Sequence, residues 1–287
     1  MTDRIHIAGI YFFGYAGLNL DAVKISLPLK EGDVFGDYSE FPKVQSKIKG
    51  SVKDALGCAS TDEALIIVGG KHIVFIGLPG SSNVPIAVRP EPLGKDTAVT
   101  DEARELYKKT MLANLERVTT PSDENDHIYF ELRDTLKHFA EKSSSNLVAT
   151  LSCCANAEDR AVAAYGLGLS ARTREDIDAL ALACNDCNEA VRNNAIRAIG
   201  TLIDTAAELT KVIPHEPFVR LMNSPIWTDR NKAVYALEGL TKQPNAALFA
   251  DLDRLARTSL LEMTIWPAMY ASSAQLLLNR IADASKT

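Results

Sequence analysis

The feature that most limits how this chain can fold is a phrase it repeats. Arg160-Ala-Val-Ala-Ala-Tyr-Gly-Leu-Gly168, Arg192-Asn-Asn-Ala-Ile-Arg-Ala-Ile-Gly200 and Arg230-Asn-Lys-Ala-Val-Tyr-Ala-Leu-Glu238 align, with their arginines 32 and 38 residues apart. Each copy has an acidic residue at or near the arginine (Asp159, Glu189, Asp229) followed by small and aliphatic residues. Each is preceded by another apolar helical stretch, such as Asp176 to Cys184 before the second. A repeat of this length is one helical hairpin, which cannot hide its apolar stripe alone and must lean on the next. Small residues such as Ala163, Ala164, Ala195 and Ala236 allow the close approach this needs.

The pattern of an acidic residue, then Arg-x-x-Ala-x-x-Ala-Leu-Gly, resembles the second helix of the HEAT repeat family, over about residues 145–282. The resemblance implies a solenoid of paired helices in which Arg160, Arg192 and Arg230 are structural and cross-link neighbouring repeats. The third copy departs at Glu238, where a small residue is missing, so looser packing or a different curvature is expected there. A degenerate last pair from Asn245 to Ile281 is expected to cap the stack.

The N-terminal part reads differently. Arg4 to Phe13 is rich in Ile and aromatics and ends at Gly14, which predicts a strand. Asn19 is placed to cap a short helix through Leu27, stopped by Pro28. Phe41, Val44, Ile48, Val52 and Leu56 recur at helical spacing before Gly57. Two apolar runs, Ala64 to Val68 and Ile73 to Gly77, flank Gly69-Gly70, a pair suited to the positive φ of a tight hairpin. The order is β-α-α-β-β. Leu65 and Ile67 point to one face of this hairpin, Ile66 and Val68 to the other, so the second face needs a cover, from a later helix or from a partner. This order, with Ile10-Tyr-Phe-Phe-Gly14 and Leu29-Lys-Glu-Gly-Asp-Val-Phe35, resembles a POTRA domain. That likeness implies a periplasmic module that docks polypeptides along a strand edge. The β-barrel usual in that family is absent from the sequence, so a transport role does not carry over.

The fold class expected is therefore α+β: a small sheet domain over 1–80, an irregular linker over 81–99 with Pro79, Pro85, Pro90 and Pro92 in and around it, and a helical domain over 100–287. Within the last, Leu106, Tyr107, Met111, Leu115 and Val118 are expected to form one apolar stripe, and a second helix is expected from about Glu124 to Lys142, broken by Ser143 to Ser145.

Chemistry is sparse. With 31 basic against 37 acidic residues the chain lacks the surplus of cations that gripping many phosphates requires, so no nucleic acid is expected as partner. No apolar run approaches the roughly 20 residues that span a bilayer. Asp3 and Arg4 before a short apolar run do not make a secretory leader, which points to the cytoplasm; a trimmed leader would place the protein in the periplasm or outside the cell. The five histidines form no metal-binding pair, and no phosphate loop or nucleophile elbow occurs, so neither catalytic, cofactor nor metal residues are assigned. Cys153, Cys154, Cys184 and Cys187 form a candidate cluster, because a shift by one repeat brings the two pairs to the same height on adjacent helices. Buried thiols, one disulfide, or a metal or redox site all remain open for it. Trp227-Thr-Asp229-Arg230 is similar to the tryptophan and aspartate of helical-repeat DNA glycosylases, but Asp229 falls on the ordinary acidic position of the repeat.

The function expected is a non-catalytic scaffold that binds another protein or peptide through the helical concave face or a sheet edge. The alternatives are an enzyme or lyase subunit on a HEAT scaffold, with an unrecognised pocket, and a structural spacer.

Overall fold

The computed structural model describes residues 4–94 and 99–286; Asp3 and positions 95–98 of the expected linker lie outside them. The chain is α+β. Its first strand β1 (Ile5–Phe13) is followed by α1 (Leu20–Ser26), the two-residue strand β2 (Val34–Phe35), a 3-10 turn at Tyr38–Glu40, α2 (Phe41–Leu56), and the hairpin β3 (Asp62–Val68) and β4 (Lys71–Gly77). Local chemistry sets these ends. Asn19 accepts a hydrogen bond from the Ala22 N–H at the start of α1, and Gly57 ends α2 in the left-handed region. Gly69 and Gly70 turn the hairpin with φ of 55° and 75°. Strand order is β2-β1-β4-β3, with β1 parallel to β4 and antiparallel to β2, and β3 antiparallel to β4. β2 is the one strand the sequence reading lacked.

The helices that follow are α3 (Asp101–Thr119), α4 (Asp123–Lys142), α5 (Ser144–Cys153), α6 (Ala157–Ser170), α7 (Arg174–Ala183), α8 (Glu189–Thr205), the single turn α9 (Ala207–Thr210), α10 (Glu216–Leu221), α11 (Trp227–Leu240) and α12 (Ala246–Asp251). A π-helical turn at Leu252–Ala256 leads into α13 (Arg257–Met263), and α14 (Ala268–Ala284) ends the described chain.

Contacts divide these elements into two compact units, residues 1–86 with 218–287, and residues 87–217. The division cuts across the expected helical domain of 100–287, because the last helices pack on the sheet.

In the first unit, α1 and α2 cover one face of the sheet around Ile5, Ile7, Ile48, Val52, Val74 and Ile76. The other face needs the cover its apolar residues predicted, and this chain supplies it. Phe75 on β4 lies 5.0 Å from the Trp227 ring, 4.9 Å from Trp266 and 5.9 Å from Tyr270, in tilted and edge-on pairs. The Trp266 indole donates to the Phe12 carbonyl at 3.1 Å. Trp227 is buried here, and Asp229 accepts from the Ser224 hydroxyl at 2.7 Å, so the phrase similar to a glycosylase groove is core.

In the second unit, α3/α4, α5/α6 and α7/α8 are successive helical hairpins, with α4, α6 and α8 side by side and α5 beside α7. This is a short solenoid. Asn156 and Asn188 cap α6 and α8 four residues before the repeat arginines, each accepting from the N–H groups two and three positions on. Gly168 is small for a reason: a Cβ there would come within 2.7 Å of the Ala198 Cβ. At Gly200 nothing lies within 4 Å. Glu238, the departure in the third copy, reaches the Ser273 hydroxyl on α14 at 2.6 Å, so this position is bridged by a hydrogen bond where the first copy has close packing.

Two expectations need correction. The α3 stripe turns inward only in part: Leu106, Tyr107 and Met111 are half-buried, but Leu115 and Val118 are 57% and 58% exposed, and the fully buried positions are Ala103, Thr110 and Ala113. The small residues let α3 approach its neighbours, and Leu115 and Val118 toward its end are left outside. The segment read as a linker is irregular but tied down. Its prolines carry no N–H, and N–H groups beside them bond to carbonyls at or just past the ends of the first helices of repeats. In the second unit Arg89 donates to Asn185 at 2.7 Å and Gly94 to Cys153 at 3.0 Å; in the first, Val84 donates to Asn223 at 2.8 Å. The donors advance by five residues while the acceptors step back by 32 and 38, the repeat interval itself.

Candidate functional site

Each repeat arginine is enclosed. Arg160 and Arg230 are wholly buried and Arg192 nearly so. Each donates to the carbonyl six residues before it: Arg160 to Cys154 at 2.8 Å, Arg192 to Asp186 at 2.9 Å, Arg230 to Ser224 at 2.7 Å. The guanidinium thereby satisfies backbone at the corner between the two helices of a hairpin. Arg160 also forms a two-pronged pair with Asp186, at 2.9 Å on both arms, and Arg89 approaches the same carboxylate at 3.0 Å. Desolvation raises the pKa of Asp186, but the hydrogen bonds from Arg160, the Asn188 N–H and Arg89 outweigh it and hold the carboxyl below its ordinary range. Arg230 instead faces Glu262, 3.3 Å away, and burial pulls this guanidinium down to about 10. Glu262 is shared: it accepts from the N–H groups of Gly14, Tyr15 and Ala16 at 2.8 to 3.0 Å and from the Ser82 hydroxyl.

Of the cysteines, Cys154 and Cys184 are buried and Cys153 and Cys187 exposed. Cys154 lies 3.8 Å from an Asp159 oxygen, and Cys187 lies 3.7 Å from the Arg160 guanidinium. Among the described residues no group of His, Cys, Asp and Glu is placed to hold a metal ion. No described helix is long and apolar enough to cross a membrane.

The site that the sequence reading missed lies in the second unit. A pocket of about 220 Å³ opens on α3, α4, α6 and α8, lined by Asn114, Tyr129, Arg133, Tyr165, Asn194 and Arg197, with Gly168 and Ala198 where α6 and α8 approach. Its polar groups are held in place. Asn194 is buried and donates to the Tyr107 hydroxyl and the Ala161 carbonyl, both at 2.9 Å. The Tyr165 ring packs edge-on to Tyr107 at 5.5 Å. Burial pushes the Tyr165 phenol well up, a hydrogen bond with Tyr129 adds to this, and the charges of Arg133 and Arg197 oppose it, so both guanidinium groups act on this hydroxyl. Arg117 stacks over Tyr129 at 4.8 Å on the adjoining wall. One signal in the sequence pointed here: Arg133 and Arg197 have no acidic residue three or four positions away on their helices. A larger hollow of about 780 Å³ in the first unit, between α12 and the end of α14, is wide open, and Arg280 on its wall is already bonded to the Glu238 carbonyl and the Thr241 hydroxyl.

No protein-family model matches the chain, and no curated protein matches it in sequence. Among solved structures it is similar to an engineered protein, with 18% identity over 65% of this chain and 83% of that one and a TM-score of 0.42. It is also similar to a designed armadillo repeat protein in complex with the peptide (KR)4, with 17% identity over 64% of this chain and 87% of that one and a TM-score of 0.40. Likenesses this distant do not bear on what this chain binds.

Proposed function

We propose that the chain is a non-catalytic, HEAT-type interaction module that holds a polypeptide against the helical face formed by α4, α6 and α8. The observation that carries this is the pocket that spans three successive hairpins and presents phenols, amides and guanidinium groups. Tyr and Arg are the residues that most often anchor protein interfaces. An extended ligand lying along the stack meets one helix after another. A second reading, the POTRA-like one, has its own support. β3 is an edge strand, and Ile67 on it is 41% exposed, so an added strand has somewhere to pair.

The two are separated by selecting displayed random peptides on the intact chain and rebinding them to two variants. Thr201→Trp fills the helical pocket; Ile67→Lys spoils the edge. Selected peptides should weaken about tenfold, some 1.4 kcal/mol, on Thr201→Trp and stay unchanged on Ile67→Lys. The opposite result makes the edge the binding surface. Failure to enrich any peptide over a heat-denatured control removes both readings.

A further inference from the structure

Most exposed cations on the helices of this protein have a carboxylate one turn away. Arg174 pairs with Asp178 at 2.8 Å, Arg254 with Asp251 at 2.6 Å, Arg257 with Asp253 at 2.5 Å and Lys286 with Asp283 at 2.9 Å. Such pairs are the ordinary way a helix surface balances its charge. Arg133 and Arg197 break the pattern. The residues three and four positions from Arg133 are Tyr129, Phe130, Leu136 and Lys137; those from Arg197 are Asn193, Asn194, Gly200 and Thr201. No carboxylate lines their pocket, and neither guanidinium makes an ion pair among the described residues.

From this we infer that the pocket on α4, α6 and α8 is an oxyanion-recognition subsite, which takes an acidic side chain of the bound polypeptide between Arg133 and Arg197. The inference rests on the reading that this face holds a polypeptide, and adds which one: an acidic segment. Three features suit a carboxylate. The two arginines offer planar donor forks from different helices, the geometry that grips a carboxylate from two sides. Tyr165 and Tyr129 line the same pocket, and burial keeps the Tyr165 phenol protonated and uncharged, so it adds no competing anion. At about 220 Å³ the pocket is smaller than the roughly 300–1,000 Å³ clefts that hold whole small-molecule ligands, and suits one side chain. The net charge of −6 makes the pair more telling, because an acidic chain that leaves two cations unpaired in one hollow has a local preference opposed to its overall field.

The test measures fluorescence anisotropy of two labelled peptides of equal length, one alternating Glu and Ser, the other Gln and Ser, on the intact protein. The Glu peptide should bind at least about tenfold more tightly than the Gln peptide, and should weaken with added salt over about one Debye length of screening. Arg133→Gln with Arg197→Gln should erase the difference between the two peptides. Thr201→Asp, which adds a competing carboxylate at the rim and leaves both arginines intact, should do the same without the packing risk of altering half-buried Arg133. If the Glu peptide keeps its advantage in both variants, or the Gln peptide binds as well as the Glu peptide to the unaltered protein, the inference falls. In the latter case polypeptide binding at this face stands and only its preference for acid is lost. Binding of neither peptide, with Thr201→Trp leaving selected peptides unaffected, removes the underlying reading instead.

Discussion

The same repeat arginine is put to two uses in the two units. In the solenoid unit, Arg160 meets Asp186, a carboxylate in the corner of the next hairpin, on both arms, and Arg89 from the irregular segment completes a cation–anion–cation set. In the sheet-containing unit, Arg230 meets Glu262, but that carboxylate spends most of its acceptor capacity on the backbone turn Gly14 to Ala16 at the end of β1. One acid ties repeat to repeat; the other ties a helix to a strand end. The difference shows in the charges. Asp186 is held ionised between two cations, whereas Arg230, with a partly engaged partner, is pulled down to about 10 by its burial. Lesson and mechanism are the same: a buried ion pair is worth what the remaining hydrogen bonds of its members are worth.

The harshest test of this contrast is Glu262→Ala. It orphans the backbone N–H groups of Gly14 and Tyr15, takes one of two acceptors from that of Ala16, and strips the Ser82 hydroxyl and one side of a fully buried guanidinium of their carboxylate. Removal of one member of a buried pair costs about 3–5 kcal/mol, and the upper end is expected here. Both tryptophans of the chain, Trp227 and Trp266, lie in this unit, so the loss should appear as an earlier tryptophan fluorescence transition in urea. Asp186→Asn comes next, at about 3 kcal/mol, since the amide keeps its shape and one acceptor oxygen. Its effect belongs to the unit without tryptophan and should shift the far-UV dichroism transition more than the fluorescence one. If either variant moves both signals equally, the two arginine sites do not report separate cores. Acid gives the reversible version. A carboxyl held below its ordinary pKa adds stability that is complete above the unfolded-state value near 4 and is lost as pH falls through the folded one. The wild-type dichroism midpoint should therefore drop on acidification below about pH 4, and Asp186→Asn should flatten that drop.

How much of this was legible beforehand follows the range of the interactions. The hairpin stack announced itself through a period of 32 and 38 residues, and helix ends through Asn19 and Gly57, because those signals are local. Gly69-Gly70 did the same for the β3–β4 turn. The grouping of the last helices with the sheet was not visible, since Phe75, Trp227 and Trp266 meet over some 150 to 190 residues of chain. Only the two-sided apolar character of the hairpin asked for such a cover, without naming it. β2 spans two residues, too few for any periodicity. On α3 the apolar stripe does not mark the fully buried positions, because close approach selects Ala103 and Ala113 and leaves Leu115 and Val118 exposed. For the pocket, the missing acidic neighbours of Arg133 and Arg197 were readable, but the register that brings α4, α6 and α8 around Tyr165 is a tertiary fact.

Smaller effects sharpen the comparison within the repeat itself. Gly168 and Gly200 hold the same position in successive copies, yet only the first is hemmed in, with Ala198 at 2.7 Å from a built Cβ. Gly168→Ala should force α6 and α8 apart and cost about 2 kcal/mol by overpacking, and because both helices line the pocket it should also weaken any peptide held there. Gly200→Ala has open space around it and sits inside α8, where an alanine loses less backbone freedom on folding than a glycine. It should stabilise the solenoid unit by about 0.5–1 kcal/mol, seen as a later dichroism midpoint with an unchanged slope. A destabilising Gly200→Ala, or a neutral Gly168→Ala, would mean that the α6–α8 contact is not what sets the small residue in this repeat.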